Sequence, residues 1–381
     1  MQNVSIIGLK TRILMGDLYI GVMSGTSLDG VDISLCEYKK RFELRYFETF
    51  SFDKQLREDI LKAIKGVVTL KEIGKLDNEL GKMYATQLKQ FLQKYHLKPS
   101  HIKAIGLHGQ TLWHEPNRGF SIQLGNPNQV AAATSIPVVC DIRRMDMASG
   151  GQGAPFAPLF HKLLFGHLGN KTAVVNIGGM ANISILDDKL IGYDTGCGNV
   201  LIDGWCERYF GVNYDENGNI ARGGKVDTRL LEVMLDDSYF KQHYPKSTGR
   251  EYFNFSWLEE KFAIANVEFG DGKDRHVSRD ILRTLTELTA ITIVNEAMKF
   301  EVETIVVCGG GANNTFLIER IEQLFPYRAK VASDFGIAQE AIESMMMGYF
   351  AYLRLSNKKA KLKSITGAKK NLIAGGLYES N

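Results

Sequence analysis

Two stretches of this chain repeat one pattern, and the repeat narrows the folds open to it. From Leu18 to Met23 the chain is apolar. It then breaks at Gly25 and Gly30, and resumes with Val31, Ile33 and Leu35 alternating against Asp32, Ser34 and Cys36. The stretch "KTAVVNIGGMANISIL" does the same around Gly178 and Gly179. Alternation on both sides of a glycine-rich break predicts a β-hairpin. Two such hairpins, each opening one half of the chain, predict duplicated α/β units. A length of 381 residues, 44% of them hydrophobic, is enough for two cores.

Other elements fall around these hairpins. Phe42 to Phe50 reads as a third antiparallel strand. "LKEIGKLDNELGKMYATQLKQFLQKYH" has apolar residues every three to four positions, as a helix does. "IKAIGLHGQT" and "IPVVCDIR" read as strands, and Pro127 suits the first turn of a helix. The glycine cluster "ASGGQGAP" marks a junction. After it come helices at "FAPLFHKLLFG", 199–210, 225–236, 277–299, 312–323 and 335–354, with a strand at "ETIVVCGGG". The expected architecture is two duplicated ribonuclease-H-like domains facing a nucleotide cleft, the plan of the sugar-kinase, actin and heat-shock ATPase superfamily. The halves are placed at 1–148 and 149–354, with 355–381 packing back on the first.

A Walker loop is excluded, because Gly30 is followed by Val31 and Asp32 rather than by Lys and Ser or Thr. A hairpin tip can still bind phosphate through backbone N–H groups, with glycine removing the Cβ that would bar close approach. Mg²⁺ would then be held by carboxylates, directly or through water. "NIGGMAN", "DTGCGN" and "CGGGANN" each follow a strand-like run, and three such turns suit a nucleotide cleft. Asp194 is expected to close its strand and project a carboxylate, as a kinase base requires; an Asx-type turn cap is the competing reading. "LHGQT" offers hydrogen-bonding groups at a strand end, which suits a sugar. Arg143 could pair with a substrate carboxylate, or equally with Asp141 or Asp146. HExxH, GxSxG and a first-strand GxGxxG are missing from the sequence.

A net charge of +3 makes no case for nucleic acid. The basic run at Lys358, Lys359, Lys361 and Lys363 reads as a solvated face. Five scattered cysteines without a CxxC point to a reducing cytoplasm. No apolar run approaches the length of a membrane span.

From about Tyr19 onward the sequence resembles the anhydro-N-acetylmuramic acid kinases. The likeness rests on "GVMSGTSLDGVD", "GGQGAP", "NIGGMANIS", "YDTGCGN", "PKSTGREYFN" and "VCGGGANN", and on His108–Thr111 with "WHEP" just beyond. It implies ATP- and water-dependent opening of the 1,6-anhydro ring with phosphorylation of O6, in peptidoglycan recycling. Gly25, Thr26, Ser27, Leu28, Asp29, Gly30, Val31 and Asp32 would form the nucleotide loop. Gly178, Gly179, Gly309, Gly310, Gly311 and Asn313 would complete the nucleotide site. Asp194 would be the base. Gln110, Thr111, Arg143, Asn199 and, by a looser match, Glu343 would face the sugar. ATP with Mg²⁺ is the implied cofactor, the ion's ligands being open, and the implied partners are a small anhydrosugar and a second copy in a homodimer. Cys197 departs from the family's usual proline, which puts the rigidity of that turn in doubt. A kinase for another anhydrosugar such as levoglucosan, and a non-catalytic sugar sensor, remain as alternatives.

Overall fold

The computed structural model describes residues 16–25, 28, 30–267 and 274–379. Strands β1 (Asp17–Ser24), β2 (Val31–Tyr38) and β3 (Phe42–Phe50) form an antiparallel meander. β4 (Ile102–Leu107) lies parallel to β1. A separate ribbon of β5 (Gln110–Glu115) and β6 (Phe120–Leu124) follows, and then β7 (Val138–Cys140), parallel to β4. The second half repeats the scheme. β8 (Thr172–Ile177), β9 (Met180–Ile185) and β10 (Ile191–Cys197) form a meander, β11 (Thr304–Cys308) is parallel to β8, and β12 (Arg328–Val331) is parallel to β11.

The orders β3-β2-β1-β4-β7 and β10-β9-β8-β11-β12 match strand for strand and in direction. That match is the signature of two ribonuclease-H-like units, and the fold is that of the actin-like ATPases. The first sheet gains one further edge strand, β13 (Gly376–Tyr378), antiparallel to β7.

Helices cover both faces of the first sheet. α1 (Lys54–Ile64), α2 (Leu70–Lys94) and α3 (Pro127–Thr134) bury Leu56, Leu80, Leu88 and Val130 against Ile20, Val22 and Ile33. α2 begins where Thr69 and Glu72 cap each other's backbone N–H groups. α4 (Ile142–Ala148) leads into the glycine cluster, and α5 (Ala157–Phe165) enters the space between the sheets. α6 (Val200–Phe210), α7 (Asn219–Arg222), α8 (Thr228–Leu235), α9 (Ser238–Lys241) and α10 (Phe255–Ala265) pack with α11 (Arg275–Met298) around Trp205, Phe253 and Leu282. α11 and α12 (Thr315–Leu324) cover the second sheet through Ile293 and Leu317.

α13 (Ile342–Leu355) lies on the other face of the first sheet. It comes so close that an added Cβ at Gly21 would sit 1.7 Å from the Ser344 carbonyl oxygen, and one at Gly106 would sit 1.9 Å from that of Met347. Together α5 and α13 build one apolar layer shared by both sheets, with Tyr19 and Val139 from the first, Val174 and Val306 from the second, and Phe160 and Phe350 between them. The short α14 (Lys363–Thr366) and β13 finish the chain.

The helix expected over 335–354 starts later. Residues Ala332–Phe335 form a 3-10 turn that ends on Gly336 at φ 75°, a left-handed residue that stops a helix; a second turn, Gln339–Ala341, precedes α13.

Candidate functional site

Three glycine turns of the second half are wedged together. The Asn199 N–H donates to the Gly178 carbonyl at 2.8 Å, and the Gly198 and Val200 N–H groups donate to that of Gly179 at 2.9 and 3.0 Å. A Cβ at Gly198 would come 2.3 Å from the Gly178 oxygen, and one at Gly311 would come 2.4 Å from Ile177 Cγ2 and 3.2 Å from Asn199 Oδ1. These glycines are required by the protein itself. Gly178 and Gly310 are different. The nearest atom to a Cβ at Gly178 would be 3.7 Å away, and at Gly310 nothing lies within 4 Å. Their open faces let a ligand approach the main chain closely, while the Gly178 N–H itself donates to the Met180 carbonyl at 3.1 Å.

Asp194 does not close its strand, contrary to the sequence-based expectation. β10 runs on to Cys197, and its pairing with β9 shifts register between Asp194 and Gly196. The irregularity displaces the carboxylate from the regular pleat. Oδ2 accepts from Ser247 Oγ at 2.7 Å and from the Thr248 N–H at 3.0 Å. The Asp194 carbonyl accepts from the Tyr239 hydroxyl at 2.8 Å. Oδ1 accepts no hydrogen bond from the described residues. Burial raises the carboxyl above its ordinary value, and the Ser247 and Thr248 bonds oppose that rise. The result is a carboxylate held by one oxygen, with its basicity increased.

The tip of the first hairpin is only partly described: Thr26, Ser27 and Asp29 lie outside the described residues. Leu28 turns its side chain into the core and takes a φ of 56°. Val31 is fully buried. Asp32 Oδ1 accepts from Thr49 Oγ1 at 2.6 Å. A Cβ at Gly30 would meet Thr49 Cγ2 at 2.5 Å, so packing on β3 alone demands glycine there.

Behind this tip lies a polar group at the ends of β4 and β7. Gln110 is wholly buried, and its Nε2 donates to the Gly25 carbonyl at 3.3 Å. Its Oε1 has no partner among the described residues, an unpaid desolvation that a ligand hydroxyl would relieve. Thr111 Oγ1 accepts from Gln123 Nε2 at 3.3 Å. Arg143 donates through Nε to His108 Nε2 at 3.0 Å and through Nη1 to the Gly153 carbonyl at 2.7 Å. His108 Nδ1 is 2.7 Å from the Gly109 carbonyl and therefore carries the ring proton. Burial holds the His108 imidazole neutral, down to about 3, and lowers Arg143 to about 10, which leaves it charged.

Neither alternative ion pair of Arg143 forms: Asp141 pairs with Arg144 at 3.2 Å, and Asp146 accepts from Thr366 Oγ1 and from the Gly153 N–H, both at 2.8 Å. Glu343, in the first turn of α13, is the charge that Arg143 feels most, and its field also reaches Cys308 at the end of β11. Glu343 thus stands where the two halves meet.

The structure gathers Gly178, Gly179, Gly311 and Asn199 in one place, and Gln110, Arg143 and Glu343 in another. Asn199, expected to face the sugar, falls among the glycine turns of the second half. Asn313 faces the turn before α13, accepting from Gln339 Nε2 at 2.6 Å and donating to Glu340 Oε1 at 3.4 Å. No local pattern in the sequence gives Ser247, Thr248 or Arg250 a role. Their only signal was membership of the matched segment "PKSTGREYFN", because their link to Asp194 spans more than fifty residues.

A family model described as anhydro-N-acetylmuramic acid kinase matches residues 17–380. The chain belongs to that family. A protein of this name from Sulfurimonas denitrificans is 47% identical over 373 residues, covering 96% of this chain and 100% of its own. Another from Sulfurovum sp. is 48% identical over 365 residues, covering 94% and 98%. A third, from Pasteurella multocida, is 42% identical over 373 residues, covering 94% and 96%. The motifs of these anhydro-N-acetylmuramic acid kinases and the geometry above therefore belong to one enzyme. No helix among the described residues is long and apolar enough to cross a membrane.

Proposed function

We propose that this enzyme uses water to open the 1,6-anhydro ring of anhydro-N-acetylmuramic acid and phosphorylates the freed O6, giving N-acetylmuramate 6-phosphate and ADP, in cytoplasmic peptidoglycan recycling. The observation that carries this reading is the Asp194 carboxylate, gripped at Oδ2 and open at Oδ1 on the strand beside the glycine turns. Oδ1 takes a proton from the attacking water. Gln110 Oε1 accepts a sugar hydroxyl, and Arg143, braced by His108 and Gly153, offers its remaining N–H groups to the sugar's carboxylate.

The open backbone at Gly178 and Gly310 lines the polyphosphate of ATP, which supplies the phosphoryl group. Among the described residues no three His, Cys, Asp or Glu side chains cluster as a metal site. Carboxylates of this kind suit Mg²⁺, a hard ion that keeps its waters. Asp32, on the first hairpin, would hold it through water beside the phosphates, where it would offset their charge.

The decisive test is incubation with ATP, Mg²⁺ and anhydro-N-acetylmuramic acid in ¹⁸O-water, with products read by mass. One ¹⁸O per sugar and one phosphate per sugar are expected. Turnover of levoglucosan in preference would reassign the substrate, and no turnover of any anhydrosugar would favour a sensor.

Gly178→Val places branches in space that the protein leaves empty. The fold should keep its melting temperature, while ATP affinity falls about tenfold or more, because the branches fill the space through which a phosphate would approach the tip. Affinity for the sugar should hold. Calorimetry with each ligand separately checks this, and equal losses would make Gly178 a structural turn.

A further inference from the structure

The segment that grips Asp194 also carries an unspent cation. Lys246 anchors it: its buried Nζ pairs with Glu296 Oε1 at 2.7 Å, and its carbonyl accepts the Asp194 N–H at 3.2 Å. Ser247 and Thr248 then bind the Asp194 carboxylate. The Gly249 carbonyl accepts from the Tyr252 and Phe253 N–H groups at 3.1 Å, which closes a tight turn around Arg250. The Arg250 guanidinium comes back over the glycine tip, with Nη2 and Nε 3.6 and 3.8 Å from the Cβ position of Gly179. Among the described residues it makes no ion pair and no hydrogen bond through its guanidinium. Asp203, one turn into α6, feels its charge from a distance.

We propose that Arg250 is the residue that binds the γ-phosphate, and that residues 246–250 set the base and this phosphate contact as one unit. The inference rests on the kinase reading above. A guanidinium beside a phosphate-binding tip has the fork geometry for two phosphoryl oxygens and keeps its charge throughout the reaction. A protein partner would have to be displaced first, and Arg250 has none to displace. Because Ser247 and Thr248 lie between Lys246 and Arg250, phosphate drawing on Arg250 also fixes the orientation of Asp194. A water is then activated only where a phosphoryl donor is in place.

The test compares ATP with ADP. For the enzyme, Arg250→Gln and Arg250→Lys, calorimetry measures the affinity for ATP, for ADP and for the anhydrosugar, and steady-state assays measure kcat. Arg250→Gln is expected to weaken ATP about 10- to 100-fold while ADP and sugar stay within about twofold. Its kcat should drop by about 10² or more, and Arg250→Lys should recover part of both. Retained ADP affinity shows that the variant is folded. Equal loss of ATP and ADP, loss confined to the sugar, or no loss at all would each overturn the assignment. A parent enzyme that binds neither nucleotide would instead overturn the kinase reading beneath it.

Discussion

Asp194→Asn is expected to lower kcat by about 10²–10⁴-fold, the range that a general base contributes, with ATP and sugar affinity nearly unchanged. The amide keeps the shape, and its oxygen can still accept from Ser247 and Thr248, so the geometry persists and only proton acceptance is lost. The pH profile gives a second handle. A base works deprotonated, so activity falls as pH drops through its pKa, and burial raises that pKa above the usual aspartate value. The acidic limb should therefore lie above the ordinary aspartate range and vanish in Asp194→Asn. Ser247→Ala removes a donor that favours the charged form, so it should move the limb to higher pH. Near-normal turnover of Asp194→Asn would remove the residue from the mechanism.

A large loss of stability is expected from a single methyl group. Gly106→Ala would place a Cβ 1.9 Å from the Met347 carbonyl oxygen, inside the backbone of α13. No rotamer can relieve a clash with main chain, so the helix must lift and open the apolar layer beneath it. The cost should be about 3 kcal/mol, the upper end of overpacking, a large part of the roughly 5–15 kcal/mol that holds a domain folded. Gly74→Ala is the control. It lies in α2 with nothing within 4 Å of the new Cβ, and it should gain about 0.5–1 kcal/mol. Urea unfolding of both variants measures the contrast, and equal midpoints would show that α13 is not seated against Gly106.

Local signals were readable where the chain enforces them locally. The third strand runs from Phe42 to Phe50 as expected, and Pro127 opens α3. The two glycine-tipped hairpins stand at the head of matching meanders. What escaped depends on distant partners. β13 pairs with a strand more than two hundred residues earlier and is three residues long, too short to carry a periodic pattern. The course of β10 past Asp194 comes from a register shift against β9, which no spacing in "YDTGCGN" encodes. The crowding of Gly30 by Thr49 was also hidden, because the sequence cannot say which side of a turn is occupied. The segment 246–250 carries no local pattern that assigns its residues a role, since they become meaningful only beside Asp194 and Gly179.

The seating of α13 on β1 and β4 also orders events at the ribosome. The strands it covers are among the first synthesised, and the helix that covers them is among the last. Until Leu355 has emerged, Tyr19, Ala104 and Val139 have lost a main cover on that face of their sheet. At about 5–20 residues per second, the wait from the end of β7 lasts on the order of ten seconds or more. The later-made sheet receives its own last strand by Val331, before α13 exists. The half that is translated second can therefore finish folding first, and the nascent chain carries an uncovered apolar surface for which chaperones and aggregation compete.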